Sequence, residues 1–312
     1  WPVYQSLEAK VKNMYTTLPL VSDLHHPAMR DRHWKRLMNT TGVHFQMNEE
    51  TFCLEDLLNL HLHNHIDAVA DIVDSAQKEL QIEASLQRVE ATWVDQRLQF
   101  EMYKDGDVPV LKPPEEVLEY LEENMLLVQN MLQGRFAAHF QEQLSDWQKT
   151  LATVDSVLTL WLETQRKWAS LETIFIGSED IRSQLPEDSK KFDSMDNDWK
   201  ELMKEAVTEP RVIEACISDG RFEALESMSM TLESCEKSLS DYLETKRMAF
   251  PRFYFISSAE LVDILSQGTS PTALQKHLGK CLEGIKRLRF QDGVEGVNGG
   301  KTYIATGMES GQ

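Results

Sequence analysis

With 312 residues, 51 Asp+Glu against 32 Lys+Arg and a formal net charge of −19, the chain is poorly equipped to hold nucleic acid or an anionic membrane surface. Both are gripped by clustered Lys and Arg. Its 41% apolar and 27% charged residues are an ordinary globular balance, which argues against extended disorder. No apolar run approaches the about 20 residues that a transmembrane helix needs. The start at Trp1 shows neither an initiator Met nor a charged leader, and the end at Gln312 follows directly on a strand-like stretch. The expectation is a piece of a longer chain without a signal peptide. Cys53, Cys216, Cys235 and Cys281 have no Cys-x-x-Cys spacing, which speaks against a zinc knuckle or redox motif and suits a reducing cytoplasm.

Helical periodicity dominates. Val3, Leu7, Val11 and Met14 step by four, four and three, which predicts a helix over 3–17. Pro27 opens a segment through Met38 that carries Trp34 and Leu37; Gly42 interrupts it, and Leu54 to Leu60 lead toward a long helix over about 67–98. There Val69, Ile72, Val73, Ala76 and Leu80 make one stripe, continued by Ile82, Leu86, Val89 and Trp93, while Asp71, Asp74, Lys78, Glu79, Glu83 and Arg88 face elsewhere. Uninterrupted by Pro or Gly, this helix runs roughly 45 Å, a length suited to an elongated scaffold rather than a compact enzyme.

Alternation over Gln99–Tyr103, a turn at Asp105-Gly106-Asp107 and a return over Val108–Leu111 predict a hairpin. Pro113-Pro114-Glu115-Glu116 starts the next helix, with Pro in the first turn and acids at the positive end of the dipole. Gly134 can break it. From Phe136 to Leu171 the stripe Phe140, Leu144, Trp147, Leu151, Val154, Leu158, Trp161, Gln165 and Trp168 alternates threes and fours, a heptad-like seam with tryptophans in it. Trp147, Trp161 and Trp168 are expected to be buried between helices. After Gly177, Ser178 is a suitable N-cap, and helices are expected over 179–184, 187–206, 210–218 and 222–247. Ser257 and Glu260 have capping-box spacing. A short helix follows Pro271, and strands over 287–290 and 302–308 flank a Gly-rich loop. No repeat of fixed period is visible.

Gly299-Gly300-Lys301-Thr302 ends like a phosphate-binding loop, but the first glycine of that motif falls on Glu295, whose carboxylate would repel phosphate, and Tyr303-Ile304-Ala305 reads as strand rather than helix. A hairpin loop is the simpler reading. His61, His63 and His65 form an HxHxH run in which His61 and His65 could share a helical face and hold zinc; no HExxH glutamate accompanies them, and a polar loop-to-helix junction is the alternative. Acid pairs such as Glu115-Glu116 and Glu122-Glu123 read as solvated helix faces. No Gly-x-Ser-x-Gly elbow is present. The aromatic stretch Phe250–Phe255 is expected to be a buried crossing of segments, and the basic run Lys276, Lys280, Lys286, Arg287 and Arg289 a solvated face or a surface for an acidic partner.

Longer strings narrow the reading. Trp168-Ala-Ser-Leu-Glu-Thr-Ile-Phe-Ile-Gly-Ser-Glu-Asp-Ile-Arg, then Gln184-Leu-Pro and Phe192, resembles the linker region (N-terminal region 2) of dynein heavy chains. So does Leu232-Glu-Ser-Cys-Glu-Lys-Ser-Leu-Ser-Asp-Tyr-Leu-Glu-Thr-Lys-Arg leading into Phe250-Pro-Arg-Phe-Tyr-Phe-Ile-Ser-Ser-Ala-Glu-Leu-Val-Asp-Ile-Leu-Ser. Arg32-His33-Trp34, Thr41-Gly42 and Ala76 to Leu86 agree. The wording is most similar to an axonemal outer-arm beta-type heavy chain.

The resemblance implies a mostly α, elongated multi-helix linker arm of consecutive helical bundles with small β-hairpins. Two parts are expected, 1–175 with the hairpin near 99–111 and 176–312 ending in a short hairpin. It implies a lever that bends and straightens over an AAA+ ring to drive a minus-end-directed microtubule motor of cilia and flagella, in the cytoplasm, cytoskeleton and axoneme. It also implies no catalytic, cofactor or metal residue in this segment, since ATP and Mg belong to the ring. Expected partners are the ring of the same heavy chain and other dynein heavy, intermediate and light chains, with microtubules reached only through the parent chain. Gly177 and, second, Gly134 are the candidate hinges. The competing readings are a passive helical scaffold or tether, which the missing repeat period disfavours, and an enzyme using Lys301 and Thr302.

Overall fold

The computed structural model describes residues 1–45, 59–104, 106, 108–266, 271–282, 284–295 and 301–310. Mostly α, it carries two small antiparallel two-stranded sheets. Two compact units emerge, Trp1–Gln96 with Glu116–Ala152, and Arg97–Glu115 with Thr153–Gln312. The boundary therefore differs from the division at 175. It falls inside one continuous helix, where apolar periodicity carries no mark of a change in packing neighbours.

In the first unit, α1 (Pro2–Leu24) has Pro at its first turn, and α2 (Asp31–Thr41) ends where Gly42 adopts φ 71° and donates its N–H to the Met38 carbonyl. A non-glycine residue pays a steric cost at such a φ. A 3-10 turn (Leu62–Asn64) leads into α3 (Ile66–Asp95). α4 (Glu115–Leu132) stops just before Gly134, and a 3-10 turn (Ala137–His139) precedes α5 (Gln141–Phe175). Leu20, Leu24, Trp34, Leu37, Leu60, Leu62, Val69, Ile72 and Val73 form the core.

The charged residues of α3, set off its apolar stripe, meet α2 and the residue before it. Asp71, Ser75, Glu79 and Glu83 recur every fourth residue and so share one face. Against them α2 lays Arg36 (2.6 Å to Asp71, 3.2 Å to Ser75) and Arg32 (2.5 Å to Glu79), and its N-cap residue Arg30 reaches Glu83 at 3.0 Å. His33, buried in this ladder, accepts the Arg30 backbone N–H on Nδ1 at 3.0 Å, so its Nε2–H donates to Glu79 at 3.1 Å. Burial pushes the His33 pKa down, with the Glu79 carboxylate opposing.

In the second unit, β1 (Phe100–Met102) pairs with β2 (Pro109–Leu111), Phe100 opposite Leu111. The last part of α5 is followed by α6 (Glu179–Gln184), α7 (Pro186–Thr208), α8 (Val212–Ile217) and α9 (Arg221–Ala249). Then come α10 (Ser258–Ser266), α11 (Pro271–Cys281) and the hairpin β3 (Ile285–Glu295) with β4 (Lys301–Ser310), longer than the spans expected for it. The capping box forms: the Ser257 hydroxyl accepts the Glu260 N–H at 3.3 Å, and Glu260 accepts the Ser257 N–H at 3.1 Å. Lys280 first, then the Ser257 amide and hydroxyl, hold the Glu260 carboxyl down at about 2. Ser257→Ala is expected to destabilise α10 by about 1 kcal/mol. Faster amide exchange confined to the first turn of α10 is the readout, and unchanged exchange there would contradict it.

The aromatic stretch departs from expectation. Pro251–Phe255 is a 3-10 turn with no buried residue, and Phe250, Tyr254 and Phe255 are exposed. Three residues per turn fan successive side chains round the axis, so no single face can bury them all. Tyr254 instead donates its hydroxyl to Glu244 at 2.5 Å.

Candidate functional site

The first candidate hinge, Gly177, lies at the junction of α5 with α6, and the second unit shows how these helices are held. On α5, Val154, Leu158, Trp161 and Trp168 are fully buried, as is Phe175 at its end. Facing them, α7 presents Phe192, Met195, Trp199 and Met203, also buried. The contacts repeat along the seam. Phe175 stacks on Phe192 at 5.2 Å and 15°, Trp168 on Trp199 at 5.7 Å and 29°, and the Trp161 Nε1–H reaches Met203 Sδ at 3.2 Å. Aromatic pairs in such geometry add specificity to area burial. Trp147 departs from expectation: it is half-buried, although it lies whole heptads from Trp161 and Trp168. It belongs to the part of α5 in the first unit and has no place in this seam.

Polar groups fix the seam in register. Asp196 on α7 is buried, and its carboxylate accepts the Trp168 indole N–H at 2.8 Å and Lys200 at 2.5 Å. Gln165, in the apolar stripe by spacing, turns its amide to β2: Nε2–H donates to the Leu111 carbonyl and Oε1 accepts the Leu111 N–H, both at 2.8 Å. Tyr103, in the hairpin turn, packs 4.8 Å from Trp168 and donates its hydroxyl to the Ala169 carbonyl at 3.1 Å.

At the end of α5 the chain continues helically through the break, with Ile176 N–H to Glu172 at 2.9 Å and Ser178 N–H to Ile174 at 3.1 Å. Gly177 is required by closeness rather than by a positive φ, because a Cβ there would lie 2.4 Å from the Thr173 carbonyl oxygen. Ser178 caps α6 by accepting the Ile181 N–H at 3.4 Å. Arg182 then braces the turn, binding Asp193 through both nitrogens at 3.0 and 2.6 Å and donating to the Phe175 carbonyl at 3.2 Å. Such a fork is rigid and directional.

Gly134, in the first unit, sits in a tight turn where a Cβ would come within 3.0 Å of the Met131 carbonyl. It borders a groove of about 270 Å³ lined by Lys78, Gln81, Ile82, Ser85, Met131 and Phe136.

The remaining sequence candidates separate. His61 has φ 48° and precedes a 3-10 turn, so His61 and His65 do not sit one turn apart on an α-helix; His65 stands at the N-cap position of α3 without a side-chain capping bond. His61 and His63 meet edge to face at 5.8 Å. Lys301 and Thr302 open β4, while Gly299 and Gly300 lie outside the described residues. In the basic run, Lys276 pairs with Asp263, Lys280 with Glu260 and Arg289 with Glu309. Sequence reasoning missed Asp196, Arg182 and Asp193. A usable signal existed for the first: an acid between Met195 and Trp199, on the apolar face of α7.

All 312 residues match the family model described as dynein heavy chain, N-terminal region 2, and the chain belongs to that family. It is 51% identical over 313 residues to the "Dynein beta chain, flagellar outer arm" of Chlamydomonas reinhardtii, covering 99% of this chain and 7% of that one. To the "Dynein beta chain, ciliary" of Heliocidaris crassispina it is 49% identical, with the same coverage, and to the human "Dynein axonemal heavy chain 17" 46% identical, covering 93% and 6%. The chain thus spans about 7% of the length of the curated relatives it matches.

Proposed function

We propose that this segment is a non-catalytic lever of an ATP-driven, minus-end-directed microtubule motor in the axoneme of cilia and flagella. It would bend and straighten over the AAA+ ring of the same heavy chain to deliver the power stroke. The observation that carries the reading is the aromatic seam of α5 and α7 in a chain of this family. Packed cores deform in discrete steps rather than continuously, so a seamed block transmits force. ATP and Mg would be bound by the ring, outside this segment. Other dynein heavy, intermediate and light chains are its partners, and microtubules are met only through the parent chain. The bend is assigned to a break between blocks, Gly177 first and Gly134 second.

The test uses the complete heavy chain. Deleting residues 1–312 is expected to leave ATP hydrolysis measurable and abolish microtubule gliding; gliding at the parent speed would overturn the lever. Gly177→Pro is expected to slow gliding more than hydrolysis. Unchanged gliding in a folded variant would remove Gly177 as the bend and leave the lever standing.

A further inference from the structure

His33 holds the third position of α2, where Glu or Gln ordinarily closes a capping box by accepting the backbone N–H of the N-cap residue. Here the acceptor is Nδ1 of an imidazole, 3.0 Å from the Arg30 nitrogen. Glu and Gln keep an acceptor oxygen throughout the neutral range. An imidazole does not, since a second proton turns both ring nitrogens into donors. Once protonated, Nδ1–H would face the Arg30 N–H, donor against donor. The residue is only 3% exposed, so the new proton does not meet solvent. The charged groups acting on the ring are Glu79 from α3 and Arg32 and Arg36 from α2. Arg30 sends its guanidinium to Glu83, while Arg36 and Arg135, the latter from the turn after α4, both hold Asp71. α1 brings Leu20 and Leu24 to the same core. Among these groups Glu79 favours the imidazolium, but Arg32 already holds the same carboxylate oxygen at 2.5 Å. The first turn is also the positive end of the helix dipole, an unfavourable place for an added cation.

We propose that His33 makes the α2–α3 joint a proton-operated latch, closed while the imidazole is neutral and opened at the first turn of α2 when the ring takes up a second proton. Opening breaks the Arg30 cap and frees the amino-terminal end of α2 from Glu79 and Glu83. It stops there, because Trp34 and Leu37 anchor the rest of the helix in the core of the first unit. The direction of the response follows from linkage. An imidazole released from the fold titrates near its ordinary value of 6.5, and in the closed joint it titrates lower, chiefly through burial. The open form therefore binds more protons than the closed form in that interval. Closure is full above about pH 6.5 and weakens as the pH falls below it. The latch belongs to the first unit alone and does not rest on the lever reading.

Hydrogen exchange on the complete heavy chain at about pH 7.5 and about pH 5.5, corrected for the intrinsic pH dependence of amide exchange, decides the matter. The amides of residues 30–36 are expected to lose protection several-fold at the lower pH, with an upper bound of about tenfold set by an open-state value one unit above it. Those around Gly42, at the other end of the same helix, are expected to hold. His33→Gln keeps an acceptor for the Arg30 N–H and cannot titrate, so its protection is expected to be the same at both pH values. The other histidines of the first unit remain in that variant and serve as the control. A second measurement needs no substitution: deuterium uptake at the imidazole C2 of His33, followed by mass spectrometry against pH, is expected to show titration below 6.5. Unchanged protection of residues 30–36 at the lower pH would overturn the latch. So would an equal loss in His33→Gln, which would make another group the sensor, or titration of His33 at or above 6.5.

Discussion

Trp161→Ala is expected to destabilise the second unit by about 3–5 kcal/mol, the range for emptying a fully buried large aromatic site. Trp161 has no exposed surface, its indole N–H lies on Met203 Sδ, and the Arg221 guanidinium sits 5.5 Å over its ring. Arg221 is itself buried, with Nε unpaired among the described residues, so losing the ring also strips a desolvated cation of its π partner. The urea midpoint is the measurement. Trp147→Ala is the internal control: half-buried and outside the seam, it is expected to cost clearly less. A Trp161→Ala change within the about ±0.5 kcal/mol typical of surface sites would refute the seam as a source of stability.

Asp196→Ala is expected to cost about 1–3 kcal/mol, because it leaves the Trp168 indole N–H buried without an acceptor. It also strands Lys200, whose ammonium loses its 2.5 Å carboxylate partner. Asp196→Asn keeps an amide oxygen for the indole and is expected to recover a large part of the loss. If both variants unfold at the parent midpoint, the hydrogen bond seen at 2.8 Å contributes nothing to the seam. If Asn is as damaging as Ala, the Lys200 charge rather than the indole is what Asp196 serves.

What the sequence made legible is what depends on neighbours close in the chain. The span 67–98 became a helix over Ile66–Asp95, the Ser257/Glu260 box closed, and β1 and β2 lie within the hairpin expected over 99–111. Each is decided by periodicity or by atoms within about four residues. The heptad from Trp161 to Trp168 likewise gave burial correctly. Trp147 shows the limit, since equal spacing puts it on the same stripe but cannot say whether a neighbour covers that turn. The partners of Gln165, Asp196 and Arg36 lie 54, 28 and 35 residues away, and nothing local names them. The charged face of α3 could be placed only away from the apolar stripe for the same reason: Glu79 looks alike whether it faces water or Arg32. At Gly177 the sequence shows a residue free in φ but not the Thr173 carbonyl oxygen, 2.4 Å from where a Cβ would stand.

The Gln165 clamp has a consequence beyond holding the first hairpin to α5. A two-stranded hairpin leaves one side of each strand with unused backbone donors and acceptors, and such an edge invites a further strand from another molecule. Along β2 alternate residues turn their backbone groups to the same side, so Pro109 and Leu111 share the side that faces Gln165. Proline has no N–H to offer, and the side-chain amide of Gln165 occupies both groups of Leu111. One glutamine thus does the work of a missing third strand, and that side of β2 has no donor left with which to recruit a neighbouring chain into a growing sheet.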